Sequence, residues 1–206
     1  PDDSGVWVDS AAGIALGFRR LAIVDLTPTG HQPMISSSGR YVMVFNGEIY
    51  NYADMRTELL ASGVSFRGTS DSEVMVEAID SWGLTKSVKR FNGQFAFALW
   101  DRRDRVLHLV RDRVGVKPLY FGWCGNVLLF GSELKTLRAY PQFHGEINRD
   151  ALTLYMRHNY IPAPYSIYQG VAKQAPGTIL SFPFDRPGFN PEPEVYWSAI
   201  GTVEEG

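Results

Sequence analysis

Residues 41–52 read YVMVFNGEIYNY, and this stretch organises the fold that the sequence predicts. Its first half, Tyr41 to Phe45, places large apolar side chains on both faces of an extended segment. Such a pattern predicts a strand that is buried on both sides. Polar residues follow where that strand is expected to end, and functional sites are often built where the chain leaves a sheet. The simpler interpretation is a strand that ends in an Asn46-Gly47 turn.

The three residues after Phe45 combine different chemical groups. Asn46 offers a side-chain amide donor, Gly47 an unobstructed backbone N–H and Glu48 a carboxylate. Two such donors can stabilise a developing oxyanion, and the carboxylate can hold an ammonium group. The stretch by itself leaves both the turn and the site open.

Composition indicates a folded chain with a substantial core. The chain has 206 residues, 45% of them hydrophobic and 13% aromatic, which predicts one large domain or one domain with a tail. A net charge of −2 and the lack of a long basic face argue against nucleic acid or an anionic membrane as the main partner. No apolar run is long enough to span a bilayer, and no signal-peptide pattern is seen. A single cysteine, Cys124, fits a reducing cytoplasm and leaves no second thiol for an internal disulfide.

Charged residues stand out in two segments, one before and one after the central strand. Arg19 and Arg20 interrupt an apolar segment, residues 13–25, that predicts one or two strands. An Arg in such a strand needs an anionic partner or forms a surface ion pair. Residues 70–73 read SDSE, which predicts a capped helix start with Asp71 in the first turn. The simplest role for Asp71 there is to complement the helix dipole.

The rest of the chain predicts short strands and helices. Residues 94–101 and 106–110 alternate as a hairpin, and a second hairpin turns at Gly125-Asn126. Asn51, Ser132 and Asn148 are each placed to begin a helix.

Residues 1–182 are predicted to form the domain, and the proline-rich residues 183–206 a linker or tail. Trp197 is too apolar for an exposed tail, so we expect this segment to dock. The four histidines are isolated and show no metal-ligand spacing.

These segments together resemble the glutamine amidotransferase domain of the glutamine-hydrolysing asparagine synthetases. The matching segments follow the order of that family along nearly the whole chain and comprise residues 1–5, 18–25, 46–52, 69–73, 93–98, 111–120 and 131–135. The resemblance implies an α+β fold of the N-terminal-nucleophile hydrolase type. This is a four-layer αββα sandwich of two antiparallel sheets flanked by helices, which agrees with the many short strands.

The resemblance also implies roles for individual residues. A zwitterionic amino acid needs both of its charges paired when it leaves water, and this explains why the implied pocket contains both signs of charge. The implied roles are oxyanion stabilisation by Asn46 and Gly47, binding of the glutamine α-carboxylate by Arg20, binding of its α-ammonium by Glu48 and Asp71, and lining of the pocket by Leu21, Ile23 and Val24.

The nucleophile of this family is the thiol of an amino-terminal cysteine, whose own α-amine serves as the base. Pro1 has neither a thiol nor a primary amine, and Cys124 lies in a different part of the family pattern. We therefore expect the 206 residues to be a fragment of a two-domain enzyme that is inactive without its nucleophile segment.

The expected function is the glutaminase half of an ATP-dependent asparagine synthetase. It would hydrolyse glutamine to glutamate and ammonia for the amidation of aspartate in the cytoplasm. Its expected partners are L-glutamine and the synthetase domain of the same polypeptide, and a homodimer is compatible with the sequence. No cofactor or metal is expected in this domain, whereas ATP and Mg are expected in the synthetase domain. The alternatives are a class II amidotransferase with another acceptor and a non-catalytic glutamine-binding module.

Overall fold

The computed structural model describes residues 3–20 and 28–204, and within them the chain forms strands and helices in alternating groups. The strands are β1 (Asp3–Asp9), β2 (Ile14–Arg20), β3 (Met34–Ile35), β4 (Tyr41–Ile49), β5 (Gly93–Asp101), β6 (Val106–Arg111), β7 (Tyr120–Cys124), β8 (Val127–Gly131), β9 (Val171–Lys173), β10 (Thr178–Pro183) and β11 (Glu194–Val195). The helices are α1 (Tyr52–Ala61), α2 (Asp71–Trp82), α3 (Leu84–Arg90), α4 (Leu134–Arg138), α5 (Arg149–His158) and α6 (Ala199–Glu204), and a 3₁₀ turn spans Pro28–Gly30.

A six-stranded antiparallel sheet in the order β11-β10-β6-β5-β4-β3 forms the centre of the fold. Residues 41–45 of β4 are all buried, so the prediction of a strand covered on both faces is confirmed. The strand does not end at Phe45, however, but continues to Ile49, and Asn46 and Gly47 pair with Ala96 and Phe95. The interpretation of Asn46-Gly47 as a turn is therefore wrong.

Glycines on both strands explain why the pairing of β4 with β5 extends this far. A Cβ atom on Gly47 would lie 2.1 Å from the carbonyl oxygen of Gln94, and one on Gly93 would lie 2.2 Å from that of Glu48. The two backbones approach each other more closely here than side chains would allow.

The central sheet carries an apolar core on each face. Met43, Phe45 and Ile49 pack with α1, α2 and α3 on one face. Val42 and Val44, whose side chains alternate with these, belong to the core on the other face, together with residues of β1, β2, β7 and β8. The order of layers is thus helices, central sheet and a second β-layer.

The second β-layer consists of two pieces among the described residues, β1 with β2 and the three strands β8-β7-β9. Each piece contains a hairpin formed by neighbouring segments of the chain, so its pairing is local. Helix α4 packs against β8. Antiparallel sheets flanked by helices confirm the α+β class that the sequence predicts.

The local predictions are mostly confirmed. Both hairpins form, and Asn148 caps α5 by accepting hydrogen bonds from the N–H groups of Asp150 and Ala151 at 3.1 Å. Ser70 caps α2, since its Oγ accepts from the N–H of Glu73 at 3.2 Å.

Two details of the predicted helix starts differ. The carboxylate of Glu73 reaches beyond the cap and accepts hydrogen bonds from the N–H groups of Arg67 and Gly68, at 2.8 Å each. Asn51 precedes α1 but makes no side-chain capping bond. Its amide instead joins α1 to the end of α3, donating to the carbonyl oxygen of Arg90 and accepting from the N–H of Asn92.

The segment around Trp197 docks on the domain, as its apolar character predicted. Trp197 packs against the helix-side core, and β11 adds to the central sheet beside β10. Tyr196 is 7% exposed, and its hydroxyl donates to the carbonyl oxygen of Arg111 at 2.8 Å. The role of residues 183–206 as a connection to a further domain stays a prediction.

We expect Tyr196→Phe to lower the free energy of unfolding by about 1–2 kcal/mol, because the buried carbonyl of Arg111 loses its hydroxyl donor. Urea denaturation would measure this change. Tyr155→Phe is the matched control, since Tyr155 is 47% exposed and its change is expected to stay within about 0.5 kcal/mol. Equal effects of the two substitutions would contradict a docked tail.

Candidate active site

At the outer edge of β4, side chains form hydrogen bonds with the backbone groups on both sides of Gly47. The N–H of Phe45 donates to Oε1 of Gln32 at 2.6 Å, and Nε2 of Gln32 donates to the carbonyl oxygen of Phe45 at 3.2 Å. Gln32, which is 6% exposed, thus takes the place of a neighbouring strand. Four residues further along, the N–H of Ile49 donates to Oδ2 of Asp71 at 3.0 Å.

Gly47 lies between Phe45 and Ile49. The register of β4 against β5 gives the direction of its N–H. Alternate residues of a strand direct their backbone groups to the same neighbour. Phe95, which is paired with Gly47, bonds in the opposite direction: its N–H donates to Oδ2 of Asp112 at 3.2 Å and its carbonyl oxygen accepts from the N–H of Asp112 at 2.8 Å. The N–H of Gly47 therefore points to the outer edge, where no acceptor for it is found in residues 3–20 and 28–204.

Asn46 and Glu48 lie on the face of β4 that is turned to the second β-layer. They continue the series of Val42 and Val44, which pack in the core between the layers. Nδ2 of Asn46 donates to Oγ of Ser132 at 3.2 Å, and both residues are half-buried. An amide nitrogen has two hydrogens, so one N–H of Asn46 remains for another acceptor.

Asp71 reaches the same strand from the helix layer. It is 6% exposed, and its carboxylate accepts from the N–H of Ile49 and, at 2.8 Å, from that of Ser72. Burial raises the pKa of the Asp71 carboxyl, the two backbone N–H groups oppose this, and the negative charge of Glu48 adds to the rise. A cation placed between the carboxylates of Glu48 and Asp71 would relieve both the burial cost and the repulsion.

A buried pair beside the site holds β5 in place. Asp112 is fully buried, and its carboxylate accepts from four backbone N–H groups, those of Phe95, Val114, Val116 and Lys117. Arg111 directs its guanidinium inward to the carbonyl oxygens of Lys117, Gln174 and Gly115, and burial lowers its pKa. The loop after β6 is thus tied to the strand that faces Gly47.

The structure brings four of the residues predicted for the site to one end of β4: Asn46, Gly47, Glu48 and Asp71. The backbone of Arg20 ends β2 opposite Asp3. The side chain of Arg20 lies outside the described residues, as do Leu21, Ile23 and Val24, and the roles implied for these four stay predictions.

Cys124 lies far from this end of the fold. It pairs with Val127 at the turn of the β7–β8 hairpin, whereas Ser132 follows the opposite end of that hairpin, where Gly131 pairs with Tyr120. Cys124 is four residues along the strand from Tyr120, which corresponds to about 13 Å. The thiol of Cys124 donates to the carbonyl oxygen of Gln142 at 3.1 Å, in agreement with a structural role.

Gln32 and Ser132 are contacts of the site that the sequence did not reveal. Gln32 lies in a loop rich in Gly, Pro and Ser, where side-chain use cannot be inferred from periodicity. Ser132 was assigned to a helix start, and it is 86 residues from Asn46 along the chain. The burial of Gln32 is visible only in the structure, and the sequence His31-Gln32-Pro33 carries no signal for it.

Two general searches complete the description. Among residues 3–20 and 28–204 no group of three or more His, Cys, Asp or Glu side chains is arranged to hold a metal ion. In the same part of the chain no helix has both the length and the apolar character needed to cross a membrane.

Comparison with known proteins identifies the class of protein. The model of the glutamine amidotransferase domain family matches residues 1–197, and the chain belongs to this family. Among solved structures, the glutamine PRPP amidotransferase from B. subtilis superposes with a TM-score of 0.59 at 18% identity, over 89% of this chain and 35% of that one. An allosteric regulatory enzyme of purine biosynthesis superposes with a TM-score of 0.62, also at 18% identity and with the same coverage of the two chains. At this identity the likeness shows the fold, which is that of the N-terminal-nucleophile hydrolase amidotransferases.

Several sequence relatives carry the name of glutamine-hydrolysing asparagine synthetases. A putative asparagine synthetase 2 of Methanocaldococcus jannaschii is 35% identical over 204 residues, covering 90% of this chain and 39% of the relative. Asparagine synthetase 3 of Bacillus subtilis is 37% identical over 188 residues, covering 90% of this chain and 30% of the relative. An amidase, chry2, of Gibberella zeae is 33% identical over 200 residues, covering 96% of this chain and 28% of the relative. The chain thus spans between 28% and 39% of the length of these relatives.

We expect Gln32→Leu to destabilise the fold by about 2 kcal/mol or more, because the buried N–H and C=O of Phe45 both lose their partner. Urea denaturation would measure the loss. Gln169→Leu is the matched control, since Gln169 is exposed and only its amide approaches a backbone oxygen, at 3.5 Å. A loss below about 0.5 kcal/mol for Gln32→Leu would show that another group satisfies Phe45.

Proposed function

We propose that this chain supplies the glutamine pocket and the oxyanion donors of the glutaminase half of an asparagine synthetase. The observation that carries the proposal is the outer edge of β4. There Gly47 directly follows Asn46, and its outward N–H, which has no acceptor within residues 3–20 and 28–204, lies between positions satisfied by Gln32 and Asp71. Two donors of this kind at one strand end are suited to a negative oxygen.

The oxyanion donors act when a thiolate adds to the side-chain amide carbon of glutamine. The carbonyl oxygen then becomes an oxyanion, to which the N–H of Gly47 and an N–H of Asn46 donate. Collapse of this intermediate breaks the C–N bond, and the leaving nitrogen takes up a proton and departs as ammonia. Water then hydrolyses the thioester to glutamate, with a second oxyanion on the same donors.

The carboxylates of Glu48 and Asp71 bind the α-ammonium of glutamine in this proposal. The raised pKa of the Asp71 carboxyl supports it, because a buried carboxylate beside another negative group gains from a bound cation. Arg20 pairs with the α-carboxylate, and Leu21, Ile23 and Val24 line the pocket. These four roles rest on the family resemblance.

The nucleophile in this proposal is the amino-terminal cysteine of the family, with its own α-amine as base. Cys124 does not take this role, since it lies at the far end of the β7–β8 hairpin from Ser132 and its thiol is bonded to the carbonyl oxygen of Gln142. Glutaminase activity in this proposal therefore belongs to a gene product in which that cysteine stands ahead of this chain.

The acceptor in this proposal is aspartate, activated in a synthetase domain of the same polypeptide that uses ATP and Mg. The names of the relatives support this assignment. In this proposal the enzyme acts in the cytoplasm. A homodimer is compatible with the proposal.

An amidotransferase with another acceptor is the second candidate function. The observation in its favour is that the amidase chry2 matches 96% of this chain at 33% identity. The two candidates share the glutaminase site and differ in what receives the ammonia.

One assay tests the proposal and separates the candidates. The gene product is incubated with glutamine, aspartate, ATP and Mg, and glutamate and asparagine are measured. Glutamate and asparagine formed in equal amounts are the expected result. Glutamate without asparagine would favour another acceptor, and no glutamate at all would favour a module that only binds glutamine.

Kinetics of two variants separate the oxyanion donor from the ammonium ligand. We expect Asn46→Ala to lower kcat by about 10²–10³-fold, as for other oxyanion donors. We expect Asp71→Asn mainly to raise KM for glutamine, because it weakens binding before the chemical step. Steady-state ammonia release measures both, and Asn190→Ala, at an exposed position, is the control. An unchanged kcat in Asn46→Ala would end the oxyanion assignment.

Glutamine binding is expected to depend on the protonation of Asp71. The pKa of this carboxyl is raised in the free protein, and a bound ammonium requires the ionised form. As the pH falls through the raised pKa, Asp71 takes up a proton and KM for glutamine rises, at a higher pH than for an aspartate with an ordinary pKa. In Glu48→Gln the neighbouring negative charge is lost, so this rise in KM shifts to lower pH. A pH profile of KM that is identical in the two proteins would contradict the coupling.

A further inference from the structure

We propose that Ser132 is a positioning residue for the side-chain amide of Asn46. The inference rests on the proposed function, since it concerns how one of the two oxyanion donors is held. Its basis is the hydrogen bond from Nδ2 of Asn46 to Oγ of Ser132 at 3.2 Å.

The bond restrains a side chain that has little else to hold it. Asn46 is half-buried, and Ser132 is its one side-chain hydrogen-bond partner among the described residues. Without that partner the amide can turn about its two side-chain torsions and lose its defined orientation. With it, one N–H is used by Ser132 and the second keeps a defined direction.

Ser132 is itself held by the second β-layer. It follows β8 directly, and Gly131 pairs with Tyr120 of β7. A Cβ atom on Gly131 would lie 2.9 Å from Cβ of Thr136, so the bend between β8 and α4 is tightly packed. Leu137 of α4 is 1% exposed and anchors the helix beyond the bend. The donor on the central sheet is thus aligned by a residue that is fixed to the opposite layer.

The expected effect is smaller than the loss of the donor itself. Removing the hydroxyl abolishes one neutral hydrogen bond but leaves the amide of Asn46 in the site. We expect Ser132→Ala to lower kcat about three- to tenfold, compared with a hundredfold or more for Asn46→Ala. KM for glutamine is expected to stay within about twofold, because Ser132 acts on the oxyanion and not on the charges of the substrate.

The first experiment compares three serine variants in ammonia release by the full gene product. Ser132→Thr keeps the hydroxyl, so it is expected to restore most of the kcat that Ser132→Ala loses. Ser81→Ala is the control, since Ser81 is an exposed residue of α2. A Ser132→Ala enzyme with unchanged kcat, or with a loss that Thr does not restore, would overturn the inference.

The second experiment is a double-mutant cycle with Asn46→Ala. If Ser132 acts through the amide, Ser132→Ala has no further effect on kcat once that amide is removed. If Ser132 merely supports the fold, its penalty persists in the Asn46→Ala enzyme, and the inference is wrong.

The two levels of the proposal fail separately. An unchanged kcat in Asn46→Ala would remove the oxyanion role and the proposed function of this strand. A large loss in Asn46→Ala with none in Ser132→Ala would remove the positioning role alone.

Discussion

The need to pair every buried backbone group along β4 governs the rest of the structure. A buried N–H or C=O without a partner costs about 1–3 kcal/mol, so a strand next to a loop must find substitutes for a neighbouring strand. Gln32 supplies both a donor and an acceptor to Phe45, and Asp71 supplies an acceptor to Ile49. Gly47 is left between them with an N–H directed outward. Within residues 3–20 and 28–204, Gly47 is therefore the position at this end of β4 whose edge N–H has no partner.

Three layers of the fold meet at this one strand end. Asp71 arrives from the helix layer, Asp112 accepts from the N–H of Phe95, which pairs with Gly47, and Ser132 reaches Asn46 from the second β-layer. Gly47 and Gly93 let the two central strands close without side chains between them. A change in any of these layers is expected to reach the two donors through short hydrogen bonds rather than through a general loss of packing.

Features set by nearby residues could be predicted from the sequence, and features set by distant contacts could not. Alternation from Tyr41 to Phe45 predicted a strand buried on both faces, and Ser70 and Asn148 predicted helix caps, because each depends on a few neighbouring residues. The continuation of β4 through Asn46 depends on glycine in β5, and the contact with Ser132 spans 86 residues. The polar residues at this end were identified, but their partners were visible only in three dimensions.

The way in which β4 is covered also has a consequence for self-association. A long exposed strand edge is a template on which another chain can add a strand and begin to aggregate. Here β3 covers only Met43 and Val42, and beyond it the side chains of Gln32 and Asp71 occupy the bonding positions of Phe45 and Ile49. Counting only the part of the chain that the structure describes, the remaining gap is one residue wide, which is too short for a foreign strand to establish a ladder.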